Sequence, residues 1–383
     1  MIKILVTGDF SPQRRVAELI GTGKSAVVFE NLKPLTAQMD LSVTNFETTV
    51  ADNTDTPIEK YGPNLKCTGK SIKVLKDAGF DMVTLANNHF YDYGDSGVIK
   101  TLAELDGCGI EYVGGGRSLK EASTTLYKGI NGKIFAFINC CENEFSIATE
   151  QHGGCNPLNP VSQYYDIKEA HDKADYVVVI VHGGHEHFQL PSMRMKEIYR
   201  FFVDAGADAV INHHQHCYSG YEFYNGCPIV YGLGNFCFDG GPGCSEKWTE
   251  GFAAELLFGN DKVELKTHPY IQCRETPGVY LMKNRSQFDQ QINSLNAIIS
   301  DDKVLKQKVN EFYSMTGRGY ESVFQPYNGR FTKSVWWHGL LPSFFKGIKP
   351  FQAYNYIFCE SHLDRLRAYV ASKSIMKKPR HKL

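Results

Sequence analysis

Acidic, amide and imidazole side chains recur in this chain at the points where β-branched runs stop. Asp9 follows IKILVT, Glu47 follows LSVTNF, and Asn87, Asn88 and His89 follow DMVTLA. His182, His185, Glu186 and His187 end or follow YVVVIVH, and His213, His214 and His216 end or follow DAVINH. Six of the 13 histidines therefore fall between 182 and 216. A lone aspartate after a strand is ordinarily a turn or a cap. Five separate strand ends that all carry metal-competent groups point instead to one site, because α/β folds place their chemistry beyond strand ends. Imidazole nitrogen mixed with carboxylate oxygen suits Zn, Mn, Fe or Ni, and a carboxylate can bridge two such ions.

Short strands alternating with amphipathic stretches at 69–79, 95–107, 161–174 and 191–206 must position these groups. Near-continuous apolar runs imply sheets covered by helices. Asn131-Gly132 and Asn225-Gly226 between strand-like runs read as hairpin turns, which makes the sheets mixed. Helical spacing returns at Phe288, Ile292, Leu295, Ile298 and Ile299. The expected division is a site-bearing domain over 1–275 and a helical, aromatic-rich basic extension over 276–383.

With 41 Lys+Arg against 42 Asp+Glu, the net charge of −1 argues against a nucleic-acid binder. That average conceals a split. Residues 330–383 hold 11 Lys+Arg against only Glu360 and Asp364, a net of +9, so residues 1–329 carry a net of −10. Aromatics among lysines in VWWHGLLPSFFKGIKPF (335–351) either pack on the rest of the protein or meet a membrane surface, acidic polymer or partner. No apolar run approaches the roughly 20 residues of a membrane span. The start MIKILVTGDF reads as a strand rather than a signal peptide, and the 11 scattered cysteines read as reduced thiols. A cytoplasmic location is the expectation.

The order and spacing of these groups resemble the calcineurin-like metallophosphoesterases, and more closely the capsule synthesis protein CapA family of poly-γ-glutamate biosynthesis. The resemblance covers about residues 2–270, most specifically LANNHFYDYG (85–94), YVGGGRSLKEA (112–122) and GADAVINHHQHCYSGYEFYNGCPIVYGLGNFCFD (206–239). It implies an α/β (α+β) four-layer sandwich of two mixed β-sheets flanked by helices, and two divalent ions (Mn, Zn or Fe). One ion would sit near Asp9, Glu47 and His216, and the other near Glu47, Asn88, His182 and His214. His89 would contact the reacting group. Glu186, in the His-x-Gly-x-Glu motif of CapA relatives, would be an extra ligand, a base or a substrate contact. The chain departs from the phosphoesterase pattern at Ser11, where a histidine is usual, and at Gly183, where the family often has tryptophan.

Such a set implies hydrolysis of a phosphoester in a phosphorylated substrate or acidic polymer. It also admits amide hydrolysis or α-proton abstraction on a peptide, or a non-catalytic module gripping an acidic polymer. Asn87, Asp92, Arg117 and His185 are further candidates for substrate contact. Asp92 could equally cap the helix beginning near Asp95. The Gly114–Arg117 loop could equally be a tight turn into a helix starting near Ser118. The Asn143-Glu144 segment lies at a strand end and could line the cleft.

Overall fold

Strand β1 (Ile2–Ser11) divides its side chains between two apolar layers, as a strand buried on both faces must. Ile4 and Val6 enter one core and Leu5 the other. The computed structural model describes residues 1–259, 262–323, 325–327 and 329–343, with residues 350, 353, 357 and 370. They form two compact units, Met1–Val309 and Asn310–Leu383.

In the first unit β1 lies beside β2 (Leu41–Phe46), followed outward by β3 (Met82–Thr84) and β4 (Glu111–Val113), all parallel. A second group of strands runs β5 (Leu126–Ile130), β6 (Lys133–Cys141), β7 (Tyr176–His182), β8 (Ala209–His213), β9 (Tyr221–Tyr224) and β10 (Cys227–Val230). They form a sheet in the order β9-β10-β8-β7-β6-β5, parallel at its centre and antiparallel at both edges. Both edges turn on the Asn-Gly pairs, with Asn131, Gly132, Asn225 and Gly226 at positive φ, as a type I′ hairpin requires.

The chain then returns to the first sheet. Strand β11 (Asn235–Phe238) pairs parallel with the end of β1. Strand β12 (Glu250–Phe258) pairs antiparallel with its beginning, followed by β13 (Val263–Gln272) and β14 (Val279–Leu281). Ile4, Val43 and Met82 of this sheet share one core with Phe137, Val178 and Ile211 of the other, so the two mixed sheets face each other. Helices α1 (Arg14–Gly21), α2 (Lys70–Asp77) and α3 (Gly94–Cys108) cover the first sheet through Val16, Ile72, Leu75 and Leu102. Helices α4 (Pro160–Lys173) and α5 (Met193–Ala205) cover the second through Ile167, Tyr199 and Phe202. The α/β sandwich expected from the resemblance is therefore the observed architecture.

Helix α6 (Ser286–Ser300) belongs to the first unit, because Phe288, Ile292, Leu295 and Ile299 enter the inter-sheet core. It ends at Asp301, whose carboxylate accepts the backbone N–H of Lys303 and so opens α7 (Asp302–Val323). In the second unit α8 spans Arg330–Trp337. Phe344, Phe345, Phe351, Tyr354, Tyr356, Phe358 and the basic tail lie outside the described residues.

Candidate metal centre

The ends of β1, β2, β7 and β8 and the loop after β3 converge on one buried cluster. Asp9 is brought there by a bulge: the register of β1 shifts on both sides of it, against β2 and against β11. Gly8 is required by close approach rather than by a turn. A Cβ there would stand 1.8 Å from the carbonyl oxygen of Gly234, on the segment that accepts the Asp9 N–H at 3.2 Å. His214 and His216 follow β8 with positive φ of 90° and 54°. Few non-glycine residues adopt this conformation, and it is concentrated at functional sites. His213 reaches across the sandwich, its Nε2 2.9 Å from the carbonyl oxygen of Thr7.

Two donor groups result, each with ligand atoms within 4.8 Å of one another: Asp9, Glu47 and His216, and Glu47, His182 and His214. Glu47 belongs to both, with one carboxylate oxygen 3.7 Å from Nε2 of His182 and 3.7 Å from Nε2 of His216. Asn88 adds its amide oxygen 3.1 Å from the same His182 nitrogen. The side chain of Asn45, two residues before Glu47, spans Asp9 at 2.8 Å and Nδ1 of His182 at 3.1 Å. Asn235 stands behind His216 at 2.9 Å.

The electrostatics favour a cation. Glu47 is fully buried, and neither carboxylate oxygen has a hydrogen-bond partner among the described residues. Burial, and then repulsion from Asp9, push its carboxyl well above the usual range. Burial and neighbouring imidazoles hold His182 far below its ordinary value and bring His214 down to about 3, so both rings are neutral at pH 7. Neutral imidazoles and a buried carboxylate lacking its counter-charge form the donor set a divalent ion needs.

His89 lies beside this cluster with Nδ1 2.6 Å from the Asp92 carboxylate. Asp92 is wholly buried, accepts the Leu65 N–H at 2.6 Å, and pairs with Lys60, whose side chain is 2% exposed. Asp92 therefore orients His89, and no cap is made for α3 by its side chain. The Asn87 amide donates to the Phe46 carbonyl at 2.9 Å and accepts the His89 N–H at 3.1 Å, which holds the loop in shape. Thr49 locks the same loop, its hydroxyl 2.7 Å from the carbonyl of His89.

Glu186 is exposed, with an oxygen in a third donor group alongside His214 and His216. Half-buried His185 has Glu142 and Arg194 as charged neighbours and is not part of the cleft wall. Arg117 is half-exposed and faces Glu121 at 3.7 Å, so the structure does not bring it to the cluster. Within the Gly114–Arg117 segment Gly115 and Gly116 pair antiparallel with Cys155 and Gly154, and the chain then enters a short helix capped by Ser118. Ser11 is buried and accepts a hydrogen bond from Gln13.

A cleft of about 430 Å³ opens onto the centre, lined by Lys60, Tyr61, His89, Glu144, Glu186 and Trp248 among others. Lys60, Trp248, Asn45 and Asn235 are contributors that sequence reasoning did not assign, whereas Glu144 lines the cleft as its strand-end position suggested. Glu144 places an oxygen 3.7 Å from the outer nitrogen of His214, and burial raises its carboxyl. The ring of Trp248 lies 5.1 Å from that of His216.

Residues 3–240 match the family model of the bacterial capsule synthesis protein PGA_cap. The chain belongs to this family. The PGA_cap match spans every residue of the cluster and stops just after β11. Among curated relatives, the capsule biosynthesis protein CapA of Bacillus anthracis is 32% identical over 248 residues, covering 63% of this chain and 60% of that protein. The PGA biosynthesis protein CapA of Bacillus subtilis (strain 168) is 34% identical over 238 residues, covering 61% and 62%. The chain thus spans about three-fifths of the length of these relatives. Among solved structures, a phosphatase of Mycoplasma pneumoniae aligns over 77% of this chain and 98% of its own at 17% identity and a TM-score of 0.45. A 5'-nucleotidase precursor of Thermus thermophilus aligns over 85% and 60% at 11% identity and a TM-score of 0.43.

Proposed function

We propose that this PGA_cap member is a metal-dependent hydrolase holding two divalent ions, acting on a phosphoester in capsule, poly-γ-glutamate or polysaccharide metabolism. One observation carries the reading: the buried carboxylate of Glu47, without a hydrogen-bond partner among the described residues, stands between Asp9 with His216 on one side and His182 with His214 on the other. Asp9, Glu47 and His216 would hold one ion, and Glu47, Asn88, His182 and His214 the other. Divalent ions at such a site supply Lewis acidity and charge neutralisation to a reacting phosphoryl group. His89 directs Nδ1–H to Asp92, and as an imidazolium balanced by that carboxylate it would also carry a proton on Nε2, to hold a phosphoryl oxygen or protonate a leaving oxygen in the cleft. The names of the CapA relatives support placing the substrate in capsule assembly.

Glu144 and Glu186 favour a second reading. Two carboxylates in the cleft wall could accept a proton from carbon or assist amide cleavage on a peptide. Metal analysis of the purified chain, paired with generic phosphomonoester and phosphodiester assays, tests the first reading. Metal in the wild type, its loss in His214→Ala and Mn- or Zn-dependent phosphate release are the expected results. Absence of metal from both proteins, and of activity after supplementation, would overturn it. Deuterium uptake into a peptide without cleavage would support the second reading instead.

A further inference from the structure

We infer that the segment beginning at α8 docks this protein on an anionic lipid surface, a role separate from the chemistry of the metal centre. The first observation is exposure. On and just after α8, Phe331 is 80% exposed, Leu340 75% and Trp337 43%, within 10 residues of chain. Large apolar side chains scattered singly on a surface are ordinary, whereas a cluster of them marks an interaction site. Trp336, alone on this helix, is buried, so α8 has an anchored side and a side facing outward.

Charge is the second observation, and it identifies the occupant. Every charged residue between Glu321 and Glu360 is basic: Arg330, Lys333, Lys346 and Lys349. Arg330 and Lys333 are exposed on the same helix as Phe331 and Trp337. The occupant must take up exposed aromatic side chains and bases together. A bilayer bearing anionic headgroups does, because each nearby Lys or Arg adds about 1 kcal/mol and buried aromatics add apolar transfer energy. The net of +9 over residues 330–383, against −10 for residues 1–329, gives this segment the charge that a negative surface attracts. Among the described residues no helix is long and apolar enough to cross a membrane.

The test is co-sedimentation of the full chain with phosphatidylcholine vesicles, with and without roughly 30% phosphatidylglycerol. Partitioning onto the anionic vesicles should exceed that onto neutral ones by about tenfold or more and fall steeply with added salt. Phe331→Ser with Leu340→Ser, and separately Arg330→Glu with Lys333→Glu, should each lower it by about tenfold while metal content and circular dichroism stay unchanged. Equal partitioning on both vesicle types, or variants that bind like wild type, would overturn the inference. So would conversion of a wild-type dimer to monomer by Phe331→Ser with Leu340→Ser, or retention on soluble polyglutamate but not on vesicles.

Discussion

The side-chain oxygen of Asn235 lies 2.9 Å from Nδ1 of His216. The Asn235 amide nitrogen donates to the carbonyls of His216 and Trp248, which fixes the oxygen as the atom facing the ring. Nδ1 of His216 must then carry the proton, and the lone pair of Nε2 is turned toward Glu47. Removing such an outer partner typically costs 10–100-fold in metal affinity. With two ions bound as proposed, Asn235→Leu is expected to weaken one by about that factor and leave the other in place. Titration with Mn or Zn followed calorimetrically would show the two steps separate.

Glu47 makes the opposite kind of prediction. Its folded-state proton affinity is raised, so ionisation costs the metal-free protein stability as pH rises through the folded value. Glu47→Gln removes that cost and the metal site together. The metal-free variant should be more stable than the metal-free wild type by about 1–3 kcal/mol at pH 8, yet gain nothing from added metal. Urea unfolding with and without metal checks both halves.

His182 and His214 act with the other sign at lower pH. Both are held neutral by burial, so the unfolded chain binds more protons than the folded one below about pH 6.5. The metal-free protein should lose stability as pH falls from that value toward the lowered folded ones. Added metal should oppose the loss until protons displace it. In the Glu47→Gln background, where the opposing carboxyl is gone, denaturation midpoints flat between about pH 7 and pH 5 would contradict this assignment.

Asp92 orients His89 without touching the cluster of metal donors. Asp92→Asn should lower kcat by about 10–100-fold with metal content and KM little changed, because the general acid–base contribution it supports is about 10²–10⁴-fold. Lys60→Met is expected to give a smaller fall of the same type. A loss of metal in either variant would show that the loop, rather than His89, had been disturbed.

Gly8→Ala tests the backbone that delivers Asp9. The added methyl would meet a carbonyl oxygen rather than a yielding side chain. Destabilisation of about 1–3 kcal/mol is expected, with lowered metal content even where the protein folds. Thermal melts and metal analysis on the same sample measure the two effects together.

The strand ends were legible because a strand that stops in Asp, Glu or His after an unbroken apolar run has few other reasons to do so. Asn131-Gly132 and Asn225-Gly226 were legible for a similar local reason, the positive φ of their turns. The supporting groups were not. Lys60 comes from an irregular loop 29 positions before His89, with nothing periodic to connect them. Asn87 and Asp92 sit beside His89 in sequence, but sequence neighbourhood does not reveal that their side chains turn away to bind Phe46 and Lys60. The crowding that demands Gly8 comes from Gly234, more than two hundred residues later.

The donors of the cluster come from both layers of the sandwich, Asp9 and Glu47 from one sheet and His182 and His214 from the other. Across that divide His213 supplies a hydrogen bond to Thr7. The centre is thus also a seam. An ion held there, as proposed, would work as a rivet through two plates, and its loss would be felt as slip of one sheet over the other. Amide hydrogen exchange in β1 and β8 should rise together on chelation, far ahead of exchange at the outer strands β5 and β14.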